Sequence, residues 1–332
     1  MEGGLCFRRD EPTFSPSPPC PAYTRFAERI EPEPVVGHYE FRPKVSSAYL
    51  EEIFGEEMLQ VWYSLVDAVM AGEDAFACPD EWTCSWVMGQ FPVRCFPVLT
   101  ELITWDYGGA VENGVAHFQY KVPKEECKAK LEEFAALCED ILNQTMADDY
   151  SDLEKALSLY RYFTATYVYD YDTYYKMYEE PVNYTSAYRL LTEGTGICHE
   201  IATAYSYLLM LSGVDATIMM GGDHEWSYVR INGHNYHVDP TFGLGEPCDL
   251  QYFMMTDEKR SEWYTPDTYT VASVYTQEYG APDYKADDDT FAPLWDCCLD
   301  FFDHDTHVLY SHTYSYENGG GLSFRAFDYG GF

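Results

Sequence analysis

No run of 18 or more apolar residues occurs in the sequence, so no transmembrane helix is expected. Basic residues are scarce. Twenty Lys and Arg stand against 56 Asp and Glu in 332 residues, a net charge of −36. Such a field repels nucleic acid and anionic membranes and excludes both as partners, while it would attract a cationic one. None of the 11 cysteines forms a C-x-x-C pair, which removes the usual zinc knuckle and the thioredoxin-type motif. Cys78 and Cys84 are the nearest pair with a spacer, and Cys297 and Cys298 are adjacent. The count is odd, so at least one thiol stays free if the others pair within the chain. The start, MEGGLCFRRDEP, lacks the basic opening and continuous apolar run of a signal peptide. The cytoplasm is the default expectation, and a secreted or surface location would require a trimmed signal. No internal repeat is present, and the sequence leaves the oligomeric state open.

What is present supports a large globular unit. Residues 1–45, with DEPTFSPSPPCP and EPEP, read as an extended or disordered lead-in. Residues 46–145 read as an N-terminal α/β part. In it Met58, Val61, Trp62, Leu65, Val66 and Val69 recur at helical spacing. Residues 73–110, rich in Cys, Trp and Pro, are expected to form loops and short strands. Ala116, Phe118, Tyr120 and Val122 alternate with polar residues, as in a half-buried strand. Pro123 opens a helix with Cys127, Leu131, Phe134, Cys138 and Ile141 on one face.

Residues 146–265 form the expected core. Ser151 with Glu154 is a capping box for a second helix. The stretch GTGICHE (194–200) then hands a glycine turn to an apolar helix that Gly213 closes. Residues 215–222 read as a buried strand. EWSYVRI and HNYHVDPT flank Asn232-Gly233, the strongest short signal for a tight hairpin. Residues 252–260 read as a strand passing into a helix, and 266–332 as a β-rich extension. The whole is expected to be α+β, with a cysteine-bearing helix packed on an antiparallel sheet.

A two-residue Asn-Gly loop pairs Ile231 with His234, Val229 with Tyr236 and Ser227 with Val238. The opposite face then carries Tyr228 with His237, Trp226 with Asp239, and His224. His224 and Asp239 share a face and lie diagonally, about 7–8 Å apart at Cβ. A slip of one residue would separate them. Cys198 falls in the first helical turn, where unpaired N–H groups and the helix dipole favour negative charge. It is the candidate nucleophile, His224 the candidate base, and Asp239 the group that fixes the imidazole. Gly194 and Gly196 would let a substrate approach closely and leave the Cys198 amide free as an oxyanion donor.

These residues together resemble the catalytic core of the transglutaminase-like superfamily, which is a papain-like thiol fold. The resemblance rests on Gly196-Ile197-Cys198 opening the helix, Gly213-Val214 ending it, His224-Glu225-Trp226, and Tyr236-His237-Val238-Asp239-Pro240-Thr241. It covers about residues 150–260, and the helical stretch before it is similar to the leader of bacterial members. It implies acyl transfer or hydrolysis at protein or peptide amides through a Cys-His-Asp triad, with a thioester intermediate and no cofactor. A catalytically silent scaffold or interaction module is the alternative. The sequence departs from the family at Glu225, where a small residue is common, and at Ser227, where asparagine is common. Where papain-like enzymes place an oxyanion glutamine stands Thr192. Tyr184, Tyr188 or a tyrosine from 167–175 could replace it.

Several residues also have plainer readings. His199 points about 100° away from Cys198 on the helix and is expected to be structural or to line the site. His237 is expected to be a packed polar residue, and Trp226 to shield the imidazole and line the cleft. A zinc set drawn from Cys198, His199, His224, His237 and Asp239 fails because adjacent helical residues seldom reach one ion. Residues 287–289 and 303–307 read as solvated loops. The tyrosines of 167–178 read either as a core edge with exposed hydroxyls or as an aromatic platform for carbohydrate or peptide.

Overall fold

The computed structural model describes residues 36–105, 111–180, 186–221, 224–262, 269–270, 284–315, 321–330 and 332. The proline-rich lead-in before residue 36 and Tyr184 lie outside them. All described residues belong to one unit, Val36–Phe332, and the fold is α+β.

The first part is more helical than its composition suggests. Helices α1 (Ala48–Phe54) and α2 (Glu56–Met70) are followed by strand β1 (Ala75–Ala77). Next comes α3 (Glu81–Cys95), where loops and short strands were expected. Asp80 caps it by accepting from the Thr83 N–H, and Cys84, Val87 and Phe91 are buried along it. Pro92 stands inside this helix and removes one backbone donor, which disguises the helix in the sequence. Short α4 (Leu99–Leu102) and β2 (Ile103–Thr104) follow. The alternating stretch after residue 115 forms two short strands, β3 (Val115–His117) and β4 (Gln119–Tyr120). Then come α5 (Lys124–Thr145) and α6 (Asp152–Thr166), the latter opened by the reciprocal Ser151–Glu154 capping box.

The tyrosine-rich stretch becomes β5 (Val168–Tyr169) and α7 (Tyr171–Lys176). Helix α8 (Ala187–Glu193), strand β6 (Thr195–Gly196) and helix α9 (Cys198–Ser212) follow. Helix α9 is the central element. It packs against α3, α6 and α8 and lies on the sheet formed by β7 (Asp215–Gly221), β8 (His224–Ile231) and β9 (His234–Val238). A helix apolar on nearly every side suits such a position. Small residues allow the close seat on the sheet. The Ser227 hydroxyl donates to the Ala202 carbonyl, and the Ser206 hydroxyl lies 2.9 Å from it.

The β8–β9 pairing is Ser227 with Val238, Tyr228 with His237, Val229 with Tyr236, and Ile231 with His234. Asn232 and Gly233 take φ of 51° and 82°, the left-handed pair that a tight hairpin requires. Val229, Ile231, Tyr236 and Val238 face the main core, and Trp226 and Tyr228 face a second cluster with Tyr49 and Met219. After β9 the chain turns through Tyr252–Met254 and makes one bridge, His237 with Met255, before α10 (Asp257–Ser261). No strand forms at 252–256: Met254 takes a φ of 53°, which interrupts an extended run, and the pairing with β9 is limited to the N–H bonds from His237 to Met255, from Met255 back to His237, and from Asp239 to the Tyr252 carbonyl. Strand β10 (Tyr269–Thr270) extends the sheet beside β7. The tail is an antiparallel meander of β11 (Cys298–Asp303), β12 (Val308–Ser315) and β13 (Gly321–Asp328). Among the described residues no helix is long and apolar enough to cross a membrane.

Candidate functional site

Cys198 is the first residue of α9, and the residue is only 6% exposed. It lies in hydrogen-bonding contact with the His224 ring. The His224 Nε2 donates to Asp239 Oδ2 at 2.8 Å. Asp239 is fully buried at the end of β9. Three residues far apart in sequence therefore form one connected row. Helix α9 supplies the first, β8 the second, and the hairpin register brings the third alongside.

The electrostatics follow from burial and charge. Burial by itself depresses the His224 pKa. The Asp239 carboxylate and the contact with Cys198 outweigh it and push the value up to about 9. Burial would raise Asp239, yet the His224 charge and hydrogen bond, Arg260 and the Phe242 N–H hold it below the usual carboxylate range. The His224 ring is stacked on Phe242 at 4.6 Å and 6°, with Trp226 at 5.9 Å.

The sequence profile of the transglutaminase-like superfamily matches residues 139–280. These residues are a transglutaminase-like domain. A solved structure described as a crystal structure of a TGase is similar at 18% identity, over 36% of this chain and 34% of that one, with a TM-score of 0.31. The chain thus spans about a third of that protein's length. No curated protein matches the chain.

Within the transglutaminase-like domain, a buried polar network sets the thiol's position. Glu200, two residues into α9, accepts from the Ile197 N–H at 2.9 Å and the Ser186 N–H at 2.9 Å. Arg189 clamps the same carboxylate through Nε at 2.8 Å and Nη2 at 2.6 Å, and reaches Asp170 through Nη1 at 2.9 Å. Such two-pronged pairs fix geometry as well as contributing energy. Gly196 sits against this clamp. A Cβ there would lie 2.9 Å from Leu190 Cδ1 and 3.0 Å from Glu200 Oε2. Gly194 ends α8 at a φ of 75°. Gly194 thus serves helix closure and Gly196 internal packing, while the space beside Gly194 is open.

The oxyanion candidates divide. Thr192 is exposed, and its hydroxyl donates back to the Tyr188 carbonyl of its own helix at 2.9 Å. The Tyr188 hydroxyl donates to Glu133. Neither hydroxyl is turned to Cys198. Tyr169 contacts both the Cys198 side chain and its backbone N–H through its hydroxyl. Pairing of Tyr169 with Gly196 in the β5–β6 ladder places it there. The sequence reached this residue only as one member of the 167–175 range.

The remaining histidines are otherwise engaged. His199 pairs with Glu225 at 2.8 Å, which accounts for an acid where the family has a small residue. His237 is fully buried. It accepts from Trp226 Nε1 at 2.8 Å and so donates from Nε2 to Asp257, 2.9 Å away. Burial holds its pKa below the usual histidine value. Trp226 packs between His224 and Arg260.

Arg260 went unseen in the sequence, where it reads as one more charge in DEKRS. It is fully buried in α10. Its Nη1 lies 3.0 Å from Asp239 Oδ2, the same oxygen that holds His224, and its guanidinium stacks 4.0 Å over the Trp226 ring. Among the described residues no group of three or more His, Cys, Asp or Glu side chains could hold a metal ion.

Proposed function

We propose that the chain is a thiol-dependent acyl transferase or hydrolase acting on protein or peptide amides. The observation that carries this reading is the 2.8 Å bond from His224 Nε2 to Asp239 Oδ2, with the Cys198 side chain in contact with the same ring. Proton transfer from thiol to imidazole gives a thiolate beside an imidazolium, and the raised His224 pKa supports that ion pair. The thiolate attacks the amide carbonyl carbon. The resulting oxyanion is met by the Cys198 N–H, and the Tyr169 hydroxyl swings from that N–H to become the second donor. His224 gives its proton to the departing amine or ammonia as the C–N bond breaks, leaving a thioester. It then takes a proton from water or a primary amine, which attacks the thioester and releases Cys198. Asp239 holds the ring and stabilises its charged form throughout.

Incubation with a glutamine-containing protein and a fluorescent primary amine separates the outcomes. Amine incorporation means transfer, new chain termini mean proteolysis, and ammonia release without either means deamidation. Each should vanish in His224→Ala. Absence of all three across a panel of unrelated substrate proteins would leave the second reading, a silent scaffold. The observation that favours that reading is the thiol's near-complete cover beneath Tyr169.

A further inference from the structure

The tyrosines of 169–178 do not form a core edge with only hydroxyls exposed. Tyr171, Tyr175 and Tyr178 are 61%, 62% and 66% exposed. They belong to one continuous set of rings. Tyr169 meets Tyr171 at 4.8 Å, Tyr171 lies over Tyr175 at 6.4 Å and 26°, and Tyr174 meets Tyr178 at 5.4 Å. The set begins at Tyr169, the residue against Cys198. It is also held firmly. Thr173 is buried under α7, and Asp170 caps that helix by accepting from the Thr173 N–H at 2.9 Å. The same Asp170 bonds Arg189, which clamps the start of α9. Platform and thiol therefore hang on one network.

We infer that this tyrosine face is the docking surface for the acyl-donor peptide and selects segments with Lys or Arg a few residues from the reacting side chain. The inference rests on the thiol reading given under Proposed function. Contiguous exposed aromatic surface, unlike apolar residues scattered singly, marks interaction sites. The choice of a cationic peptide comes from charge. Ring faces are electron-rich and attract ammonium and guanidinium groups. Asp172, Glu179 and Glu180 are exposed around the rings, with Lys176 paired to Glu180 at 3.2 Å. The net charge of −36 draws in cations from a distance. The steps from Tyr169 to Tyr175 match about three residues of extended peptide.

The test uses the full chain carrying Cys198→Ser, so that binding is measured without turnover. The probe is a twelve-residue peptide with one Gln flanked by Lys, Arg and Pro, bearing an uncharged dye, and its twin with Glu for each basic residue. Fluorescence anisotropy near physiological salt should show the basic peptide binding at least tenfold more tightly. Tyr171→Ser with Tyr175→Ser should weaken it about tenfold, the effect of two lost cation–ring contacts. Tyr171→Phe with Tyr175→Phe should restore it. Both pairs leave the protein's charge unchanged, so non-specific attraction is not what they report. Unchanged thermal midpoints verify folding. No binding of the basic peptide, equal binding of the twins, or indifference to Tyr→Ser overturns the inference. So does tighter binding of an N-acetylglucosamine tetrasaccharide through the same rings. Failure of the thiol reading shows separately, as loss of His224-dependent labelling of Cys198 in the wild type.

Discussion

Arg260→Met should raise the His224 pKa. The Arg260 and His224 nitrogens sit 3.0 and 2.8 Å from one Asp239 oxygen, so they are no more than about 6 Å apart. Two positive charges at about 6 Å repel by about 3 kcal/mol at an effective dielectric near 20, equivalent to about two pKa units. Methionine fills similar volume without the charge. Because Asp239 can relax towards His224, the expected rise is at least one unit above the present value of about 9. The substitution should also cost about 3 kcal/mol of stability, the low end for a broken buried pair. His224 and the Phe242 N–H still hold the carboxylate. Nitrogen-15 NMR of ring-labelled histidines, titrated from pH 6 to 11, reads the pKa directly and does not depend on activity. A His224 pKa that stays put or falls would refute the idea that Arg260 opposes the imidazolium.

Three further outcomes are expected. Asp239→Asn removes the carboxylate charge that offsets burial, so the His224 pKa should fall below the usual histidine value and amide turnover should drop by about 10²–10⁴-fold, read from a pH–rate profile. Gly196→Ala forces a methyl onto Leu190 and Glu200 and should lower stability by about 1–3 kcal/mol in urea unfolding, with slower alkylation of Cys198. The third outcome is a stability change with pH. The folded pKa of His224 exceeds its unfolded value, so its contribution is complete below about pH 6.5 and fades as pH rises through about 9. The difference in unfolding free energy between wild type and His224→Ala should shrink by up to about 3 kcal/mol across that window.

How much of this was legible in the sequence depended on whether the deciding force was local. Asn232-Gly233 fixes its own turn and hence the register of every β8–β9 pair, including the face shared by His224 and Asp239. Ser151 and Glu154 cap each other within one helical turn. Helix α3 was missed because Pro92 argues locally against a helix that burial of Val87 and Phe91 secures from outside. Arg260 was missed because burial of a cation depends on Asp239 and Trp226, which lie 21 and 34 residues earlier in the chain. The place of Tyr169 depends on pairing with Gly196, a contact across 27 residues that no spacing pattern announces.

Competitive alkylation tests most directly whether Cys198, His224 and Asp239 act as one unit. Limiting iodoacetamide near neutral pH, with each cysteine quantified by mass spectrometry, should label Cys198 at least tenfold faster than Cys78, Cys84, Cys248 or Cys298, and His224→Ala should erase that lead. A Cys198 that reacts no faster than its neighbours, or that keeps its lead without the imidazole, would contradict the account.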